Sequence, residues 1–320
     1  MLSAETINTL GSIAGILAVI GSISVYLLQK HKNRLHARRI ERADDPDWIG
    51  VGRLHETAFD TEVADTCEDI KDWVELNWHA KKKKRGINLD ELLLAAKSGN
   101  EVIGYFYGQY YHEDKYAFVS YLAKDHKLPD SEHASRIIVD RLFKILEPEK
   151  TGCKAVVAEL EEVKFIQRDG RRIDVGARRL LRLFGDSVRK ASKKKAETLG
   201  AYRLCVDYHQ PLLRPEDLSN KEELSKAQSL KQWLLYIPFS KSDFISDGGY
   251  EYVTKSAALG VMEFLLNRLY RDAFPNSKEY VDYLADELKR YEETLPEKIR
   301  VISDHTEAAK FRFEPAGAAS

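Results

Sequence analysis

The chain has little of what would staple a small protein together. Its 320 residues include three cysteines, Cys67, Cys153 and Cys205, widely separated and without a CxxC pair. That excludes a disulfide framework and a cysteine-rich zinc site, and it suits a reducing compartment. The nine histidines show no metal-ligand spacing, so no metal is expected. Charge of one sign is also lacking: 50 Lys and Arg stand against 51 Asp and Glu, for a net charge of -1. A dedicated nucleic-acid binder carries a strongly basic total, so nucleic acid is not an expected partner. No internal repeat is present. What the chain does have is 43% hydrophobic and 10% aromatic residues, ample for a packed core. Global disorder is excluded, and the length suits one large or two modest domains.

One long uncharged run stands out. No residue from Thr6 to Gln29 is charged, and Ile7 to Leu28 is long enough to cross a bilayer as a helix. A cleaved signal peptide fits poorly, because Glu5 rather than a lysine or arginine precedes the run and no Ala-x-Ala site follows. Lys30, Lys32, Arg34, Arg38, Arg39 and Arg42 come next, opposed only by Glu41. By the positive-inside rule this flank stays cytoplasmic. The expectation is a single-pass membrane protein with its main domain cytoplasmic. Gly11, Gly15, Ala18 and Ser22 fall on one face of the span. Small residues at such spacing would let two copies approach closely, as a homodimer.

After the basic linker, 30–42, the chain reads as alternating strands and helices. Arg39 to Ala43 is a short extended segment, and Asp44, Asp45 and Pro46 supply helix-start chemistry for Trp48 to Phe59. A second helix spans Cys67 to Lys81. The turn cluster Ser98-Gly99-Asn100 joins Glu91–Ala96 to Glu101–Tyr111 as a hairpin, although Leu92–Ala96 taken alone also suits a helix. Tyr116 to Ala123 is a third strand. A helix from Ser131 to Leu146 presents Ile137, Ile138, Leu142 and Ile145, and Lys154 to Leu160 is an apolar run of strand length. Asp174 caps a helix carrying Leu180, Leu181, Phe184, Val188 and Ala191, which Gly200 stops. Tyr202–His209 and Gln232–Phe239 read as paired strands across a polar excursion. Helices then span about Ser256–Phe274 and Ser277–Thr294, the second with Asn276 and Glu279 at capping-box spacing. The polar tail from Ser303 is expected to be loose.

This order resembles the GNAT superfamily of acyl-CoA-dependent N-acyltransferases over roughly Arg39 to Phe239. Three stretches carry the resemblance: "LLLAAKSGNEVIGYFYGQYY", in which Val102-Ile103-Gly104 looks like the central strand; "YAFVSYLAKD" followed by "SRIIVDRLFKIL"; and "KKKAETLGAYRL", which looks like the last helix running through a glycine into a strand. The resemblance implies an α/β (α+β) fold, with a mixed, mostly antiparallel sheet flanked by helices over residues 39–240. It is preceded by the anchor, 1–29, and followed by a helical extension, 241–302, and a tail, 303–320. It also implies acetyl-CoA or another acyl-CoA as co-substrate and transfer to an amine by direct attack in a ternary complex. A non-catalytic sensor or scaffold of the same fold at the membrane is the alternative.

Two features depart from the family pattern. Its coenzyme loop, of the form Arg/Gln-x-x-Gly-x-Gly/Ala, wraps the pyrophosphate with backbone amides. Here the stretch is His126 to Ala134; Ser131 opens the helix and Ala134 fits the final small position, but no glycine or arginine precedes it. Many members also carry a tyrosine four residues before the glycine that ends the last helix, and Ala196 stands there. Carbonyl polarisation would fall to backbone groups near Tyr121 and Leu122. Glu159, Glu161 and Glu113 are the candidate bases, since a partly desolvated carboxylate has a raised pKa. Between Arg168 and Lys195, eleven basic residues face three acidic ones. Arg178, Arg179 and Arg182 from this stretch are the candidates for binding the coenzyme's phosphates.

Overall fold

The computed structural model describes residues 35–59, 65–83, 88–128, 131–161, 165–168, 171–174, 177–192, 199–212, 215–220 and 232–303. The expected span, Ile7 to Leu28, with its small-residue face, and the tail beyond Ser303 lie outside the described residues. Among the described residues no helix is long and apolar enough to cross a membrane.

A ten-stranded sheet organises the chain, in the order β1-β2-β3-β4-β5-β9-β8-β12-β11-β10. Its first half is β1 (His36–Ile40), α1 (Trp48–Ala58), α2 (Cys67–Lys82), β2 (Leu89–Ser98), β3 (Glu101–Tyr111), β4 (Tyr116–Lys124), α3 (Ser131–Ile145) and β5 (Ala155–Glu161). A two-stranded hairpin, β6 (Phe165–Arg168) and β7 (Arg171–Asp174), precedes α4 (Ala177–Ser192), β8 (Tyr202–Leu204) and β9 (Gln232–Pro238). Junctions among the described strands of the large sheet are antiparallel except β4–β5. Through β9 this is the element order that the resemblance implies, with the small hairpin added.

Local chemistry explains the boundaries. Gly99 takes a positive φ of 62° in the β2–β3 turn, which only glycine adopts without strain. Thr66 and Asp69 close a capping box at the start of α2. The first strand lies three residues earlier than expected, because Arg42 to Asp47 forms a turn. Asp47 stands at the N-cap of α1 but makes no capping bond. Its carboxylate instead accepts from Arg38 Nε at 2.7 Å and Lys97 Nζ at 2.7 Å.

The segment after β9 differs most from expectation. It holds helices α5 (Lys255–Phe264) and α6 (Lys278–Thr294), and also β10 (Phe244–Asp247), β11 (Tyr250–Thr254) and β12 (Lys298–Ser303). β12 pairs with β8, Val301 opposite Leu204, so this segment continues the sheet. The expected capping box at Asn276 is not made: Ser277 is the N-cap and no side chain bonds there.

Three apolar clusters fill the layers. One lies between the sheet and α3 and α4, with Phe106, Ile138, Leu142, Val156 and Phe184. On the other face, α1 and α2 cover β1–β4 through Val51, Ile70, Val74 and Tyr105. Beside them, α5 and α6 cover β5, β9 and β8 through Val157, Leu234, Phe264, Tyr280 and Leu284. β5 is therefore buried on both faces, which is why it reads as a continuous apolar run.

Candidate active site

The parallel junction creates the site. β4 and β5 pair from Tyr116↔Ala155 to Val119↔Ala158 and no further. Beyond that row β4 stays with β3 as far as Lys124, while β5 stays with β9 through Glu159↔Leu234 and Glu161↔Gln232. The strands part, and a wedge opens between their C-terminal ends. The register of β3 against β4 also slips here: Tyr107 faces Tyr121 and Gly108 faces Val119, leaving Ser120 as the extra residue of a bulge. A bulge frees backbone groups from the ladder and re-aims them. Gly108 permits it, since a Cβ there would stand 2.2 Å from the Phe118 carbonyl oxygen. Ser120, Tyr121 and Leu122 are half-buried at the opening.

Glu159 is the first residue of β5 past the shared ladder. Its Oε1 accepts from the Tyr208 hydroxyl and its Oε2 from the Tyr270 hydroxyl. Burial pushes its carboxyl up to about 7, with the two hydrogen bonds acting against that rise. Both phenols are held well above their ordinary value, by burial first and then by the neighbouring carboxylate, so they remain donors. Gln210 Nε2 donates to the Tyr270 oxygen at 3.2 Å, and Gln232 Nε2 donates to Gln210 Oε1 at 2.5 Å. A carboxylate near 7 with a second lone pair on each oxygen can take up a proton at neutral pH.

The neighbouring wall belongs to α1, α2 and β2. Tyr121 donates to Asp65 Oδ2 at 3.0 Å and accepts from the Asp65 backbone N–H at 2.9 Å. Its ring meets those of His55, Phe59 and Tyr107. His55 is buried; its Nε2 lies 2.7 Å from the Asp65 carbonyl and its Nδ1 lies 2.6 Å from the Tyr105 hydroxyl. A carbonyl only accepts, so Nε2 carries the hydrogen and Tyr105 donates to Nδ1. Behind Tyr107, the buried Glu91 accepts from that tyrosine's hydroxyl at 2.7 Å and from Gln109 Nε2 at 3.3 Å. Its carboxyl too is pushed up to about 7 by burial.

In the loop after β4, three of the described amides have partners. Asp125 N–H donates to the Ile103 carbonyl at 2.9 Å, Lys127 N–H to Asp125 Oδ1 at 2.9 Å and Leu128 N–H to the Asp125 carbonyl at 3.4 Å. Positive side chains stand nearby. Arg179 and Arg182 are exposed on the first turns of α4. His126 has its pKa lowered by burial and then by the charges of Lys124 and Arg179. Among the described residues no His, Cys, Asp and Glu group is arranged to hold a metal ion.

Sequence-predicted residues thus fall into separate places. Glu159, Tyr121 and Leu122 all lie past the last shared row of β4 and β5, the Tyr121 side chain packing against the α1–α2 cluster and that of Leu122 toward α3. Ala134 is fully buried over Gly104, where an added Cβ would stand 3.0 Å from its own, so it seats α3 on β3. Ser131 and Arg178 open α3 and α4, and Glu161 ends β5; their side chains lie outside the described residues. Glu113 sits in the β3–β4 turn at the far end of β4, exposed and ion-paired with Arg268. Tyr208, Tyr270, Gln210 and Gln232 carry no local sequence signal. Glu91 has one: an acid at an inward position of a strand.

No family model matches this chain, and no curated protein matches it. Solved structures do. A GNAT-family protein from Desulfovibrio desulfuricans aligns with 65% of this chain and all of its own, at 12% identity and TM-score 0.37. One from Bacteroides thetaiotaomicron covers 73% of this chain and 98% of its own, at 13% identity and TM-score 0.38. A Bacillus subtilis acetyltransferase in complex with coenzyme A covers 65% of this chain and 100% of its own, at 10% identity and TM-score 0.34.

Proposed function

We propose that this chain is an acyl-CoA-dependent N-acyltransferase, held at a membrane by residues 7–28, with Glu159 as general base. The observation that carries the reading is the place of Glu159, a partly buried carboxylate one residue past the β4–β5 ladder. In this reading the thioester enters the wedge with its carbonyl toward the freed backbone at Ser120–Leu122. The amine nitrogen attacks the carbonyl carbon and gives its proton to Glu159. The carbon–nitrogen bond forms, the carbon–sulfur bond breaks, and coenzyme A leaves as the thiolate, to be protonated by water. Arg178, Arg179 and Arg182 take the coenzyme's phosphates by charge, since three amides of the β4–α3 loop already have partners. Acetyl transfer is the proposed reaction, and the acceptor is an amine.

In the anchor reading, the sheet sets where the tether would leave the domain. β1 begins at His36, and His36 pairs with Lys97, which pairs with Val102. That is the end of the sheet at which β4 reaches Lys124. A tether from Leu28 to His36 reaches about 30 Å at most. The parting of β4 and β5 would therefore lie close to the bilayer.

The test is calorimetric titration with acetyl-CoA, then turnover of wild type and Glu159→Gln against a panel of amines. Loss of a general base lowers kcat about a hundredfold or more and leaves coenzyme affinity unchanged. Equal turnover would remove Glu159 from the mechanism. The three engaged loop amides favour the second reading, a catalytically silent ligand sensor or scaffold at the membrane, and wild type that binds no acyl-CoA would favour the scaffold.

A further inference from the structure

The segment after β9 reaches into the candidate site. α5 does not end at Phe264 but widens into a π-helical turn, Leu265–Tyr270, before the short helix Arg271–Ala273. A π turn adds a residue to the helical register and so rotates the downstream side chains by roughly 100°. Leu265 and Leu266 are buried in the core over β5 and β9. Tyr270, the last residue of the turn, is 8% exposed and its hydroxyl lies on Glu159 Oε2.

With the Gln232 and Gln210 amides oriented as they stand, each bond around Tyr270 has a defined donor. Gln232 Nε2 donates to Gln210 Oε1, so the other end of the Gln210 amide is a nitrogen, which can only donate. It donates to the Tyr270 oxygen. The tyrosine's own hydrogen is left for Glu159. Tyr208, from the segment after β8, donates to the opposite carboxylate oxygen and stacks on Tyr291 at 6.3 Å. Two donors from elements remote in sequence therefore fix the plane of a carboxylate whose terminal torsion is otherwise broad.

We propose that Tyr270 is a positioning residue: with Tyr208 it holds the Glu159 carboxylate in a fixed orientation at the parting of β4 and β5, and this makes the C-terminal segment part of the active site. The inference rests on Glu159 acting as base. Among the described residues, the further ionisable groups beside this network, Tyr280 and Tyr291, are phenols raised by burial, so they stay neutral through the range that matters.

The experiment uses the full chain with 13C-carboxyl-labelled glutamate. Glu159→Gln identifies the Glu159 resonance, which titrates near 7 in wild type. Removing a donor disfavours the charged form, so Tyr270→Phe should raise the midpoint by about one pH unit. The acid limb of kcat/KM should move upward with it, while KM for the acyl-CoA stays. Tyr283→Phe removes a hydroxyl from the same segment away from Glu159 and serves as the control. An unchanged midpoint in Tyr270→Phe, or an equal shift in Tyr283→Phe, would overturn the proposal. Wild type without acyl transfer to any amine would instead sink the enzyme reading and the catalytic role with it, while the resonance still reports the contact.

Discussion

Replacing Glu91 by glutamine should make the protein's stability less dependent on pH, and the structure sets the size of the effect. Glu91 is 7% exposed and its carboxyl is raised from the ordinary 4.5 to about 7, burial being the main cause. Between those values the folded chain binds a proton that the unfolded chain has lost. Stability therefore falls as pH rises through this window. The contribution is complete below 4.5 and gone above 7. At 1.36 kcal/mol per pH unit it amounts to about 3 kcal/mol, of which roughly 2–3 falls between pH 5 and 8. Glutamine keeps an acceptor for Tyr107 and does not titrate. Urea unfolding of both proteins, monitored by tryptophan fluorescence at pH 5 and pH 8, isolates this group because Glu159 contributes equally to both. The expected result is that the variant gains about 2–3 kcal/mol on wild type between the two conditions. A difference that does not change with pH would refute the reasoning.

Other outcomes are expected elsewhere. Gly108→Ala should cost more than about 2 kcal/mol in chemical denaturation, because its Cβ would meet the Phe118 carbonyl oxygen at 2.2 Å and the Phe106 ring at 2.7 Å. Neutralising Arg178 and Arg179 together should weaken coenzyme binding by roughly 2–4 kcal/mol if both contacts are direct, with a steeper salt dependence in wild type; titration at two salt concentrations decides. The full-length protein should stay with membranes through alkaline carbonate, whereas release of the intact chain would reduce the anchor to peripheral attachment.

Much of the fold was legible because its signals are local. Apolar spacing marked α3 and α4, turn residues marked the β2–β3 hairpin, and the doubly buried β5 announced itself as an unbroken apolar run. Even the candidate base could be named, since Glu159 stands at the end of that run. The limits of local reading lie in particular residues. Asp47 looks like part of a helix cap but spends its carboxylate on Arg38 and Lys97, partners set by β1 and β2. β10, β11 and β12 are short, and β12 joins the rest of the sheet through β8, nearly a hundred residues earlier in the chain.

The sequence alone determined which segments can be helices or strands, where charge collects and where an uncharged run is long enough for a bilayer. Those are properties of neighbours along the chain, set by side-chain period and propensity. Only the tertiary structure decided that β4 and β5 part after Val119 and Ala158, and that Ser120 is squeezed out of register. Only it brought Tyr208 and Tyr270 onto one carboxylate, with Gln210 behind Tyr270 and Gln232 behind Gln210. The chemistry of Glu159 depends on desolvation and on two donors, Tyr208 and Tyr270, drawn from distant segments, and neither has any counterpart in the order of residues around position 159.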